Sequence, residues 1–294
     1  MKERFGAKWF FGDLRCPDCG NAMRIGTDVT CSNCDYRKTL QRPVDLRPSR
    51  PRGVTIELKT AITPVPNEIL ERVNFDPPPI TYAGPRALRD SRELISAMMR
   101  SVPQDGRVLD LGCGVRDQAQ PIESVGYRYV GVDYSNSSAD LLADAHSLPF
   151  ADSTFECVFS YAVLQHLHSP FLAIREIERV LSPGGLFVGT VSQGGPFEAS
   201  YFHHTVWGLV SLVRSTTTLQ LSRLWCGPGT LRALATYGRY PRVIRTLLAA
   251  VDRIDTSAPW LAPRRQLWSQ RDKKLDALYR AGGICFAIDK VSRA

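Results

Sequence analysis

Four cysteines have the type and spacing that bind a metal. Cys16-Pro17-Asp18-Cys19 and Cys31-Ser32-Asn33-Cys34 form two CxxC knuckles with eleven residues between them. Each knuckle aims two thiolates at one point, and a hairpin between the knuckles brings four sulfurs into a closed tetrahedral zinc site. A closed site has no open coordination position, so this zinc is read as structural. A redox pair is the alternative, and two matched knuckles in a short module fit zinc better. So short a module buries too little to fold alone. Metal binding supplies the missing energy, and a chelator is expected to unfold the module while sparing the rest of the chain. Cys113, Cys157, Cys226 and Cys285 stand singly in apolar surroundings, which suits free thiols and not a disulfide framework.

A second set of residues consists of carboxylates at the ends of short apolar runs. Val108-Leu109-Asp110-Leu111 leads into Gly112-Cys113-Gly114, the pattern of a buried parallel strand and a tight turn whose missing side chains let a ligand approach the backbone. Tyr129-Val130-Gly131-Val132-Asp133 reads as a second strand ending in an acid, which can accept bonds from both hydroxyls of a ribose. A nicotinamide or flavin dehydrogenase has the same two elements. Three features favour a different ligand. Asp110 precedes the glycines where a dinucleotide fold wants glycine, and its carboxylate suits a cationic amino acid moiety; the third fingerprint glycine is absent, because Val115-Arg116-Asp117 follows. Asp144, before Ala145, ends a third strand where it can accept from an adenine amino group. Phe155 to Ser160 reads as a fourth strand. A helix through Arg175-Glu176-Ile177 then follows, capped by Ser169 with Pro170 in its first turn, stopped at Pro183-Gly184-Gly185 and succeeded by a fifth strand.

From Arg107 to Ser192 the chain resembles the class I S-adenosylmethionine-dependent methyltransferases, including those of ubiquinone biosynthesis and other small-molecule enzymes. The likeness rests on the ordered set Asp110-Leu111-Gly112-Cys113-Gly114, Val132-Asp133, Asp144-Ala145, Leu148-Pro149-Phe150 and Leu181-Ser182-Pro183-Gly184-Gly185. It implies a Rossmann-like α/β fold, a seven-stranded sheet with helices on both faces. It also implies that Asp110, Gly112 and Gly114 hold the methionine part of the cofactor, Asp133 the ribose and Asp144 with Ala145 the adenine; Tyr134 and Ser160 join them as candidates. Two departures stand out. Only residues 134–139 separate the second strand from the third, where the family places a full helix, and Val115-Arg116 stand where a glycine commonly follows. The N-terminal knuckles are similar to the zinc-ribbon activator subunit of tRNA and protein methyltransferases, with residues 39–48 as its proline-containing tail.

Methyl transfer from a sulfonium is an in-line displacement that depends chiefly on holding acceptor and methyl together, with a base where the acceptor carries a proton. His166, after the fourth strand, is the leading candidate for a base or orienting group, with His203 and His204 as alternatives in the aromatic stretch Tyr201 to Trp207.

The elements that must position these groups follow from length and pattern. The 294 residues, 44% of them apolar, accommodate one sizeable α/β core and a small module. The expected division is a zinc ribbon over 1–48, a proline-rich linker over 49–84 and a methyltransferase domain over 85–294 with a helical insertion at about 226–281. A helix fits 87–100 and two closing strands fit Leu219-Gln220-Leu221 and Gly283 to Ile288, an antiparallel pair. No stretch is apolar enough to span a bilayer and the N-terminus lacks a secretory pattern, so the chain is expected to be cytoplasmic. The net charge is +8, and the arginines concentrate in Arg47, Arg50 and Arg52 and again along Arg239, Arg242, Arg245, Arg253, Arg264, Arg265 and Arg271. In the insertion, Val243, Ile244, Leu247, Leu248, Val251 and Ile254 form an apolar stripe that suits core packing, a lid, or a peripheral membrane or partner helix. The leading functional expectation is a small-molecule methyltransferase. RNA methylation, with ribbon and basic arms gripping phosphates, is a second reading, and a non-catalytic cofactor-binding interaction module a third.

Overall fold

The structure is a computed structural model, and it describes residues 9–50, 67–80, 89–194, 200–227, 229–237, 240–257 and 270–292. Three short strands, β1 (Met23–Ile25), β2 (Asp28–Cys31) and β3 (Arg37–Thr39), form an antiparallel sheet around the cysteine knuckles. The main sheet contains β4 (Val44–Asp45), β5 (Arg107–Leu111), β6 (Arg128–Asp133), β7 (Leu141–Leu142), β8 (Phe155–Tyr161), β9 (Leu181–Ser192), β10 (Leu219–Cys226) and β11 (Gly283–Lys290), in the order β10-β11-β9-β8-β5-β6-β7-β4. Strands β4 to β9 run parallel, and β11 is inserted antiparallel between β9 and β10. The inner strands are buried along most of their length because both of their faces are covered.

The helices are α1 (Asn67–Glu71), α2 (Arg89–Ser101), α3 (Ala119–Ser124), α4 (Pro170–Val180), α5 (Val206–Arg214), α6 (Thr230–Tyr237), α7 (Arg242–Ser257) and α8 (Gln270–Arg280). One face of the sheet packs Leu109, Val130 and Val158 against Ile174 and Ile177 of α4 and Leu209 and Val213 of α5. The other packs Val108, Tyr129 and Phe159 against Leu94, Ile95 and Met98 of α2 and Ile122 of α3. Each fully buried aliphatic side chain of these layers contributes about 1.5–3 kcal/mol by leaving water.

The fold is the expected mixed sheet with helices on both faces, with four differences. The main sheet has eight strands instead of seven, because residues 44–45 of the ribbon tail pair with β7 and the Leu46 N–H donates to the Leu142 carbonyl at 2.7 Å. Strand β7 is two residues long, and without this partner it would leave an open sheet edge. The strand expected to end at Asp144 stops at Leu142, so Asp144 lies in the following turn, bridged to Ser147. Helix α4 passes directly into β9 at Leu181, so Pro183-Gly184-Gly185 lies inside an irregular strand and is not a stop between elements. Ser169 precedes α4 with Pro170 in the first turn, yet its hydroxyl makes no cap; its backbone carbonyl accepts from Leu172 and Ala173 instead. No helix separates β6 from β7, and the N-terminal segment occupies that edge. The start of the helix expected from 87, most of the 49–84 linker, Arg52, Arg239, Arg264 and Arg265 lie outside the described residues.

The cysteine module is not packed as a separate body. Phe10, Leu14, Val29, Val44 and Leu46 belong to the same buried layer as Leu141, Ala143 and Phe150. Backbone bonds run from Arg15 to the Pro149 carbonyl and from Ala151 to the Asp13 carbonyl, and the Ser147 hydroxyl donates to the Pro17 carbonyl at 2.6 Å. Unfolding this module would therefore expose part of the main core, contrary to the expectation that the rest of the chain is spared.

Candidate active site at the carboxyl ends of the strands

Strand β5 ends at the Gly112-Cys113-Gly114 turn, and the N–H groups of Gly112 and Cys113 both donate to the Val132 carbonyl at 2.9 Å. Gly112 has φ +71 and Gly114 φ +52, a region that side-chain-bearing residues rarely adopt. The two glycines have different reasons to be glycine. A Cβ on Gly112 would run into Val163, whereas a Cβ on Gly114 would meet no atom within 4 Å. Gly112 thus allows close packing, and Gly114 opens the backbone to a ligand.

Asp133 ties this turn to the next loop. Its Oδ2 accepts from the Gly114 N–H at 3.1 Å, and its Oδ1 accepts from Ser135 at 3.0 Å and Asn136 at 2.9 Å. Asp110 behaves differently. It is 1% exposed, and the Tyr129 hydroxyl donates to its Oδ2 at 2.7 Å within the helix-covered layer. Burial pushes its carboxyl up to about 7, against the lowering effects of the Tyr129 bond and of Arg116. One of its two carboxylate oxygens is thus held by Tyr129. Arg116 has φ 65, the backbone state a glycine adopts without strain; its guanidinium lies 5.3 Å from the Tyr129 ring centre and pairs with Asp140 at 3.1 Å.

Asp144 accepts through Oδ1 from the His146 N–H at 2.9 Å and shares a 2.6 Å bond with His146 Nδ1. Burial raises its carboxyl, but the His146 bonds outweigh burial and hold it below the usual range. The Ser169 N–H donates to His146 Nε2 at 3.3 Å, which leaves the ring proton on Nδ1. His146 stacks on His168 with ring centres 4.1 Å apart, and Tyr201 meets His168 edge-on at 6.5 Å. Ala145 is buried beside this group. Ser160 is fully buried in β8, and its hydroxyl has no hydrogen-bond partner.

The three candidate bases sit on two loops that are stitched together: the Tyr201 and Phe202 N–H groups donate to the Gln165 carbonyl at 2.8 and 3.1 Å. His166 is exposed in the turn after β8, and His203 is exposed with Nε2 2.9 Å from the Ser200 hydroxyl. His204 is buried. Burial lowers its pKa, which a hydrogen bond with the Leu164 backbone partly offsets, and its Nε2 has no hydrogen-bond partner.

Sequence reasoning passed over His146, His168 and Arg47. The Asp144-x-His146 spacing was a usable local signal, since an acid at a strand end often bonds two residues on. Arg47 had none. It holds Asp45 through both carboxylate oxygens, donates to the Tyr134 carbonyl at 3.2 Å and lies 5.5 Å from the centre of the exposed Tyr134 ring.

At the N-terminal module the four sulfurs of Cys16, Cys19, Cys31 and Cys34 lie within 4.8 Å of one another, with 3.6 Å between Cys16 and Cys34 and 3.4 Å between Cys19 and Cys31. Tetrahedral zinc with sulfurs at ~2.3 Å places them ~3.8 Å apart, so the cluster fits that ion. The Asn33 N–H donates to Cys31 Sγ at 3.3 Å, a bond that orients this sulfur within the cluster.

Residues 109–189 match the methyltransferase domain family. A demethylmenaquinone methyltransferase of Renibacterium salmoninarum is 30% identical over 141 residues, covering 43% of this chain and 59% of the relative. A malonyl-(acyl-carrier protein) O-methyltransferase of Erwinia pyrifoliae is 36% identical over 106 residues, covering 32% and 40%. The chain thus spans about half the length of the curated relatives it matches. Among solved structures, a chain from the Haloferax volcanii complex of the Trm112 methyltransferase activator with a methyltransferase aligns with TM-score 0.46 and 18% identity, over 70% of this chain and 91% of that one. Strands β5 to β9, with the glycine turn and Asp133 at their carboxyl ends, carry the segment that matches the methyltransferase domain family.

Proposed function

We propose that the chain transfers a methyl group from S-adenosylmethionine to a small-molecule acceptor. The observation that carries this reading is the Gly114 and Asp133 pair: a turn open to a ligand at its second glycine, held by a carboxylate from the neighbouring strand, inside the matched domain. S-adenosylmethionine supplies an electrophilic methyl on its sulfonium. Gly112 and Gly114 then border its methionine part, Asp133 and Tyr134 its ribose, and Asp144 and Ala145 its adenine. Asp110 joins Gly112 and Gly114 at the methionine part, with its Oδ2 held by the Tyr129 hydroxyl. Ser160 lies next in line along β8. The name of one curated relative, a demethylmenaquinone methyltransferase, supports a small-molecule acceptor, and that of another, a sterol 4-C-methyltransferase, agrees with it.

Where that acceptor carries a proton, His166, His203 and His204 are the candidate groups to take it, and of these His204 is the buried one, with its pKa lowered by burial. His166 and His203, both exposed, suit orienting the acceptor at the mouth. Cys16, Cys19, Cys31 and Cys34 hold a structural zinc ion. The division into 1–48, 49–84 and 85–294, with the helical insertion at about 226–281, is proposed on the same basis, with residues 1–48 secured to the sheet edge through β4.

Calorimetric titration of S-adenosylhomocysteine, followed by transfer of tritiated methyl into fractionated extract, tests the reading. Binding and label in a low-molecular-mass or lipid fraction are expected. Absence of binding removes the enzyme reading, and label confined to RNA removes the small-molecule acceptor.

A further inference from the structure

Strand β10 runs in the direction of β9 and ends at Cys226 opposite Ile284, beside the carboxyl end of β9, where Ser192 pairs with Gly283. The insertion that follows, carrying α6, α7 and α8, therefore rises from the rim that bears Gly114, Asp133 and the histidine loops. It is tied down there. Gly229 bridges to Ala281, and the Gln193 side-chain amide donates to the carbonyls of Leu278, Tyr279 and Ala281 at the end of α8.

Helix α7 carries its apolar residues on the side away from the protein. Its inner side is formed by half-buried Leu248 and buried Asp252, which fills the space over Gly229, and by Arg245, whose Nε donates to the Ala235 carbonyl. On the outer side, Val243, Leu247 and Val251 recur every fourth residue and are 71%, 59% and 50% exposed, with Ile244 beside them. An aliphatic row of this kind ordinarily faces a core. The charge of the same segment is one-sided: residues 229–281 hold eleven Lys and Arg against four Asp and Glu, a net +7 of the chain's +8.

We propose that the α7 face docks on an anionic lipid surface, which brings the rim of the site to the membrane. Aliphatic side chains at the headgroup boundary leave water, while the net positive charge of segment 229–281 favours an anionic surface over a neutral one. The alternatives fit less well. An RNA backbone would engage the charge and leave the aliphatic row in water. A second copy of this chain would bring two strongly basic segments together. The proposal extends the methyltransferase reading by making the acceptor a membrane-borne one, and that consequence rests on the reading; the docking itself does not.

Flotation of the full chain with vesicles of phosphatidylcholine, and with vesicles containing a quarter phosphatidylglycerol, tests this directly. Binding to the anionic vesicles, weakened by salt, is expected, with a loss of about tenfold or more in the Val243→Ser/Leu247→Ser/Val251→Ser variant. Circular dichroism and S-adenosylhomocysteine titration accompany each variant, so failure of docking and failure of the cofactor site register separately. No binding to anionic vesicles would overturn the proposal. So would a triple variant that floats like the native chain, preferential retention on polyuridylate that the triple variant keeps, or a concentration-dependent dimer in light scattering that it abolishes.

Discussion

Replacing Asp133 by asparagine separates two tasks that one carboxylate performs. Oδ1 accepts from Ser135 and Asn136 and closes the β6 loop, while Oδ2 accepts from Gly114 and holds the glycine turn. An amide has one acceptor and one donor group. Turned to keep two loop bonds and lose one, the substituted side chain presents its NH2 to the Gly114 N–H. A hydrogen bond to a charged acceptor contributes about 1.5–3 kcal/mol, and the lower end applies at this half-buried position. Asp133→Asn should therefore weaken S-adenosylhomocysteine binding by about tenfold or more through the loosened turn and the lost ribose acceptor. Thermal unfolding should fall by no more than about 6 °C, since roughly 1.5 kcal/mol is at stake. Asp133→Ala removes all three bonds and should lower the unfolding temperature further. Titration calorimetry of S-adenosylhomocysteine with each variant reads the first quantity and scanning calorimetry the second. An Asp133→Asn variant that binds like the native chain would refute the role given to this carboxylate and to the open turn at Gly114.

Asp110 predicts a pH dependence. Burial raises its folded-state carboxyl to about 7, while the unfolded group titrates at ~4, so the folded chain binds the extra proton between these values. Its contribution is fully present below ~4 and is lost as pH rises toward ~7. Asp110→Asn keeps an acceptor for Tyr129 and does not ionise, so its unfolding temperature should drop less than the native one between pH 5 and pH 8, values bracketing that ~7 midpoint. Parallel slopes would contradict it. Zinc removal is expected to reach beyond the cysteine module, because Phe10, Leu14 and Val44 share a layer with Leu141 and Phe150. Chelation should release one zinc per chain, expose four thiols and lower the main unfolding transition by about 5 °C or more. Metal analysis that finds no zinc, or a main transition indifferent to chelation, would count against this.

The order of glycines, acids and apolar runs from Val108 to Gly185 was enough to read a parallel sheet with a glycine turn and an acid at its carboxyl end, because those features are local: a buried strand is mostly apolar, and a tight turn at positive φ favours glycine. The CxxC spacing was equally local, since two short turns by themselves bring four sulfurs together. What decided the rest was distance along the chain. Asp110 stands before the glycines as a ligand-binding acid would, yet Tyr129 and the covering helices draw it into the interior. Three histidines looked alike in sequence, and burial alone separates His204 from His166 and His203. The pairing of Val44 with Leu141 and the reach of Arg47 to Tyr134 join segments about ninety residues apart. A periodic stripe such as that of α7 specifies a face but not what lies against it. Which groups are shielded from water, and which stay in contact with it, is a property of the packed whole.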